Sequence, residues 1–132
     1  MTASAKLRVL IAEDSAEGRE RLVELLGQVP GVEIAGEAED EARAFALYDQ
    51  HQPEAAVLDI RLRAGSGITV LEHIRRRDRR CMVIMLTNFD QIDFRCRCGE
   101  AGADCFFEKS REFHQGAVAL REFVHRRLAI PE

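Results

Sequence analysis

The chain has 132 residues, of which 46% are hydrophobic and 32% charged, with a formal net charge of −4. This is the length and balance of one domain that buries about two-thirds of its unfolded surface. The charge offers no bulk attraction to nucleic acid or an anionic membrane, and no apolar stretch approaches the roughly 20 residues of a membrane helix.

Residues 1–6 read as a flexible tail without the apolar core of a signal peptide, so a cytoplasmic protein is expected. The first strand spans about 7–12 and is nearly all apolar, as in a strand covered on both faces. Ser15 is placed to cap a helix running to about Gln28, with Leu22, Leu25, Leu26 and Val29 on one stripe; Pro30-Gly31 ends it. Residues 32–36 alternate like a half-covered strand, and Asp40 can cap the next helix, which carries Phe45 and Leu47. A third strand covers 55–59. After Gly65-Ser66-Gly67 comes a helix with Val70, Leu71 and Ile74 inward, then a fourth strand at 82–87. Residues 90–101 give a helix of weak periodicity, and a fifth strand follows at about 104–108. In the last helix Phe113, Ala117, Leu120, Val124 and Leu128 fall on one face. The domain spans 7–128, with 129–132 as a tail; no linker precedes Ile130-Pro131-Glu132, as expected of a complete protein.

Five alternating strand–helix units imply an α/β fold, a parallel sheet with helices on both faces. In such sheets ligands bind beyond the carboxyl ends of the strands. Glu13 and Asp14 close the first strand, Asp59 the third, Thr87 the fourth and Lys109 the fifth. Each has an ordinary explanation alone: helix capping for Glu13-Asp14, a loop carboxylate, a strand-end hydroxyl, a solvated lysine. Together at one sheet edge they read as a site. The crowded carboxylates oppose one another's ionisation, which a cation relieves, and an all-oxygen set suits Mg²⁺ better than zinc. Asp59 then has the character of a carboxylate nucleophile for a phosphoryl group, with Lys109 and Thr87 placed to neutralise and hydrogen-bond its oxygens.

From Lys6 to about Leu128 the chain resembles the receiver domain of bacterial two-component response regulators. The resemblance implies a flavodoxin-like (βα)5 fold with strand order 2-1-3-4-5. It implies that Asp14, Asp59 and the main-chain carbonyl of Arg61 bind Mg²⁺, with Glu13 acting through water. Asp59 is then the phospho-acceptor, Thr87 the switch hydroxyl, Lys109 the phosphate-pairing lysine and Phe106 the switch aromatic. Gly67 matches the glycine eight residues after the acceptor, and Ala101-Gly102-Ala103-Asp104 the lead into the fifth strand. Four positions depart from the pattern. Arg63 replaces a usual proline, Asn88 a usual small residue, and Phe106 the commoner tyrosine. Ser110 follows the lysine where a cis proline is usual, so the bond is either trans in a rebuilt loop or cis at a cost of about 2.5–4 kcal/mol. The stretch from Phe106 to Phe113 is also similar to some receivers that carry no output domain.

The expected function is therefore a stand-alone, non-enzymatic phospho-acceptor with at most weak self-dephosphorylation. Its donor is a sensor histidine kinase or a phosphotransfer protein. Its output goes to a protein target or a second copy through the face around Phe106 and the last helix, where Phe123 lies. One rival is the receiver fragment of a longer DNA-binding regulator. Another is an aspartyl-phosphate phosphatase, which needs a second aspartate where Ile60 and Arg61 stand. Residues 75–80, Arg-Arg-Arg-Asp-Arg-Arg, read as a solvated helix end, since no recognition helix or aromatic platform accompanies them. His51, His73, His114 and His125 lack metal spacing and read as surface or helix-packing residues. Cys81, Cys96, Cys98 and Cys105 read as buried free thiols.

Overall fold

The structure, a computed structural model, describes residues 6–88 and 92–128, without the side chains of Ile92 and Leu128. Residues 1–5 of the expected first tail, the tail at 129–132, residues 90 and 91 of the expected fourth helix and the Leu128 side chain lie outside the described residues.

The chain alternates β1 (Leu7–Ala12), α1 (Ala16–Gly27), β2 (Val32–Ala38), α2 (Glu41–His51), β3 (Ala55–Leu58), α3 (Gly67–Arg77), β4 (Met82–Thr87), α4 (Ile92–Ala101), β5 (Cys105–Glu108) and α5 (Lys109–Leu128). The strands form one parallel sheet in the order β2-β1-β3-β4-β5, with β1 paired to both β2 and β3. The order reverses between β1 and β3, so their carboxyl ends flank the crevice where such a sheet binds ligands.

The strand alternation builds two cores. Leu10, Ala12, Ala56, Leu58, Val83 and Met85 face α2, α3 and α4. Leu7, Val9, Ile11, Val57, Ile84 and Leu86 face α1 and α5. Each Leu or Ile fully buried in this way contributes about 1.5–3 kcal/mol. Two caps are those expected, Ser15 accepting from Gly18 N and Asp40 from Arg43 N, and Ser66 adds a third by accepting from Ile68 N. On the expected stripes Val70, Leu71, Ile74, Leu120 and Val124 are fully buried, while Leu25 is half-buried.

Three expectations need correction and one an addition. β2 runs two residues further, to Ala38, because Ala12 still pairs with Ala38 past the irregularity after Val9. The last helix, whose stripe starts at Phe113 as expected, is preceded by a short helical turn that opens at Lys109 directly after β5, the two meeting at a kink where Glu112 is non-helical (φ −124°). The thiols are not all buried: Cys81 and Cys98 are, Cys105 is half-buried and Cys96 is exposed on α4. The arginine run is not uniformly solvated. Arg75 turns inward, donating from Nε to Gly102 O (2.8 Å) and from Nη1 to Cys81 O (2.7 Å) and Asp78 O (3.2 Å). Its Nη2 donates to Asp104 Oδ2 (2.8 Å), which also accepts from Val83 N (2.8 Å). One guanidinium thus fastens the end of α3, the start of β4 and the α4–β5 turn. His73 packs between helices as expected, stacked on Phe45 with ring centroids 4.3 Å apart and bonded through Nε2 to Asp49 Oδ1 (3.0 Å).

Candidate functional site

Backbone pairing carries past the strand ends and sets the site residues side by side. Asp59 N donates to Ala12 O (2.9 Å), and Glu13 N donates to Ala38 O (2.9 Å). Glu13, Asp14 and Asp59 each offer a carboxylate oxygen, all within 4.8 Å of one another. Glu13 and Asp59 are buried, whereas Asp14 is exposed. Lys109, arriving on the first turn of α5, donates from Nζ to Asp59 Oδ2 (2.8 Å) and also to Glu13 Oε1. The second Glu13 oxygen accepts from Ser15 N (3.0 Å). Asp59 Oδ1 is buried without a hydrogen-bond partner. An orphaned, buried carboxylate oxygen at the centre of an all-oxygen donor set fits a small hard cation such as Mg²⁺.

Within this cluster two groups are shifted from their ordinary values. Burial raises the Glu13 carboxyl above its usual 4.5 and outweighs the lowering by Lys109 and Ser15. For Lys109, burial is the largest single influence and lowers its value. The hydrogen bonds to Asp59 and Glu13, with their charges, overcome it, so the ammonium titrates above its usual 10.5. Because the folded value lies above the unfolded one, the stability from Lys109 is whole below pH 10.5 and is lost as pH rises through the folded value. Urea unfolding above pH 10 is therefore expected to show an alkaline loss in the wild type that Lys109→Met lacks.

The cleft over these groups measures about 460 Å³ and is lined also by Arg21, Arg61 and Asn88. Thr87 ends β4, fully buried, beside Glu108 of β5. Phe106 is half-buried against the α2–α4 side, with the Arg95 guanidinium 4.6 Å from its ring centroid and Arg95 Nη1 donating to its carbonyl (3.3 Å). Phe123 is half-buried against the other core. Gly67 lies over the Asp59 backbone: a Cβ there would come within 1.9 Å of Asp59 O. Gly67→Ala must push the α3 start away from β3 and is expected to cost about 1–3 kcal/mol, measured by chemical denaturation.

The β5–α5 junction explains how Ser110 stands in for proline. No peptide bond among the described residues is cis. The Glu108 carboxylate accepts from Arg111 N (3.0 Å) and Ser110 Oγ (2.7 Å), while Glu112 Oε1 accepts from Glu108 N (2.8 Å). These reciprocal bonds cap the short helical turn that opens on Lys109 ahead of the kink at Glu112. Reading strand ends alone missed Glu108 and Glu112, although carboxylates four residues apart around Lys109 are a legible capping pattern. It also missed Arg19, whose Nη1 donates to the carbonyls of Glu13 (2.9 Å) and Asp14 (3.3 Å).

Comparison with known proteins gives one consistent result. The family description "Response regulator receiver domain" matches residues 9–121. The transcriptional regulatory protein PdtaR of Mycobacterium tuberculosis is 36% identical over 81% of this chain and 51% of its own length. The chemotaxis protein CheY of Bacillus subtilis is 32% identical over 77% of this chain and 84% of its own length. Thus the chain spans about half of PdtaR and most of CheY. Among solved structures, the receiver domain of a putative NarL from M. tuberculosis superposes with a TM-score of 0.82 at 27% identity, covering 93% of this chain and 99% of that one. Among the described residues, no helix is long and apolar enough to cross a membrane.

Proposed function

Because the chain belongs to the response regulator receiver family, whose work is phospho-acceptor signalling, we propose that Asp59 is the residue that takes the phosphoryl group. One observation carries the reading: a buried carboxylate whose Oδ2 is held by Lys109 and whose Oδ1 has no partner, within reach of Glu13 and Asp14. Asp14, Asp59 and the Arg61 carbonyl would hold Mg²⁺, with Glu13 acting through water. When bound, the ion supplies charge neutralisation for the phosphoryl oxygens. Asp59 attacks phosphorus: a P–O bond forms to its carboxylate as the P–N bond of a phosphohistidine breaks, and the imidazole leaves with the electron pair. Lys109 releases Asp59 Oδ2 and pairs with a phosphoryl oxygen, and Thr87 donates its hydroxyl to another.

The donor is a histidine kinase or a phosphotransfer protein. The modified residue carries about −1.5 to −2 charge, which draws on Lys109 and Thr87 and so biases β4, α4 and the face around Phe106. That face and α5 form the output surface, for a protein target or a second copy. A second reading places the receiver within a longer transcription regulator. It is favoured by the match to PdtaR and to the DNA-binding transcriptional activator DevR/DosR of M. tuberculosis, 34% identical over 54% of its length.

Incubation with a small phosphodonor and Mg²⁺ is expected to add one phosphoryl group by intact mass. No gain, or an undiminished gain in excess chelator, would overturn the reading.

A further inference from the structure

We propose that Glu39 is a positioning residue that braces the loop after Asp59 against the β1–α1 loop, and so sets the separation of the two loops that carry the cation-binding oxygens. The inference deepens the reading of Asp59 as acceptor and rests on it.

Arg63 stands where relatives of this pattern carry proline, and the structure uses the amide that proline lacks: Arg63 N donates to Glu39 O (2.8 Å). Two more bonds continue the seam. Glu41 N donates to Ala64 O (3.0 Å), and Ser66 N donates to Glu41 Oε2 (2.8 Å). Gly65, at φ +94°, makes room for it, since a Cβ there would come within 2.3 Å of Glu41 Oε2. Glu39 and the first residue of α2 therefore hold residues 63–66 at three points, and Gly67 N then returns to Ile60 O (2.8 Å).

Glu39 also reaches the other loop. Its Oε2 pairs with Arg63 Nη1, and its Oε1 lies 3.9 Å from Arg19 Nη2. Arg19 in turn holds the carbonyls of Glu13 and Asp14. One carboxylate thus gives one oxygen to an arginine of the β3–α3 loop and the other to the arginine that supports the β1–α1 loop. Glu37 shares only the Arg19 side, with Oε1 4.0 Å from Arg19 Nε. The Arg63 and Glu39 side chains are 69% and 36% exposed, so this pair adds little to folding. Its effect falls on how well the loops are held at the spacing a cation needs. Groups that orient metal ligands from outside typically change affinity about 10–100-fold, and the exposure here places the expectation at roughly tenfold.

The test is calorimetric Mg²⁺ binding by the full chain, a readout independent of phosphorylation. Glu39→Gln keeps the size and the main-chain carbonyl but removes the ion pairs, and is expected to weaken Mg²⁺ roughly tenfold. Glu37→Gln removes the same charge from the same neighbourhood and is expected to do much less. Arg63→Ala combined with Glu39→Gln is expected to be clearly less than additive. Wild-type affinity in Glu39→Gln, equal weakening by Glu37→Gln, or full additivity would each overturn the bracing role. Wild-type protein that binds Mg²⁺ yet gains no phosphoryl group would instead overturn the acceptor reading alone.

Discussion

Asp59→Asn is expected to abolish phosphoryl labelling entirely, while its fold persists. A carboxamide nitrogen carries its lone pair in resonance and is no nucleophile, and the two carboxylates left nearby are engaged, Glu13 by Lys109 and Ser15 and Asp14, on the proposed reading, by the cation. Asparagine keeps the shape and still accepts from Lys109. It also removes one of the three crowded carboxylates. Urea unfolding should therefore show a stability equal to or above that of the wild type near neutral pH. Intact mass after treatment with phosphodonor and Mg²⁺ should show one added group in the wild type and none in the variant. Equal labelling of the two would move the acceptor away from Asp59. Asp14→Asn supplies the companion result: it retains the acceptor but loses a cation oxygen, so its labelling should require more Mg²⁺.

Arg75→Met should produce the largest loss of stability among the arginine substitutions, about 2–4 kcal/mol. Methionine fills the aliphatic path but leaves the carbonyls of Asp78, Cys81 and Gly102 without this donor, and Asp104 without its charge partner. The discount from a fully buried pair reflects Asp104, which is 44% exposed and can be rehydrated. Arg76→Met, one residue on and exposed, should stay within about 0.5 kcal/mol. Denaturant midpoints of the two variants decide the matter; a loss for Arg75→Met no larger than for Arg76→Met would mean that its bonds are dispensable.

These two positions mark what the sequence can and cannot convey. The strand-end residues were legible because a parallel sheet converts sequence position into place: whatever closes the strands meets at one edge. Helix starts were legible at Ser15 and Asp40 because a cap acts within three residues. Arg75 was not, because charge runs at helix ends are usually solvated and its partners lie up to 29 residues away. Glu39 and Glu41 were hidden for the same reason: surface carboxylates carry no periodic signal, and their partners are supplied by a neighbouring loop. Phe106 was found by resemblance, whereas Thr87 was legible as a strand end, and the positions of both follow from the register of β4 with β5. The β5–α5 junction stood between these cases. The sequence signalled that the proline was missing, but the self-capping of Glu108 and Glu112 depends on the helical turn starting at Lys109.

The uneven burial of the four thiols gives an experimental handle that needs no engineering. Desolvation pushes the Cys81 thiol up to about 12 and the Cys98 thiol up to about 11, and it also raises Cys105, so few of these groups are thiolate at neutral pH. Cys96 alone among them is exposed. It adjoins Arg95, whose guanidinium covers the Phe106 ring. A maleimide dye added to the native protein would settle on α4 at that position, and its emission would report on the surface around Phe106 in the unmutated chain.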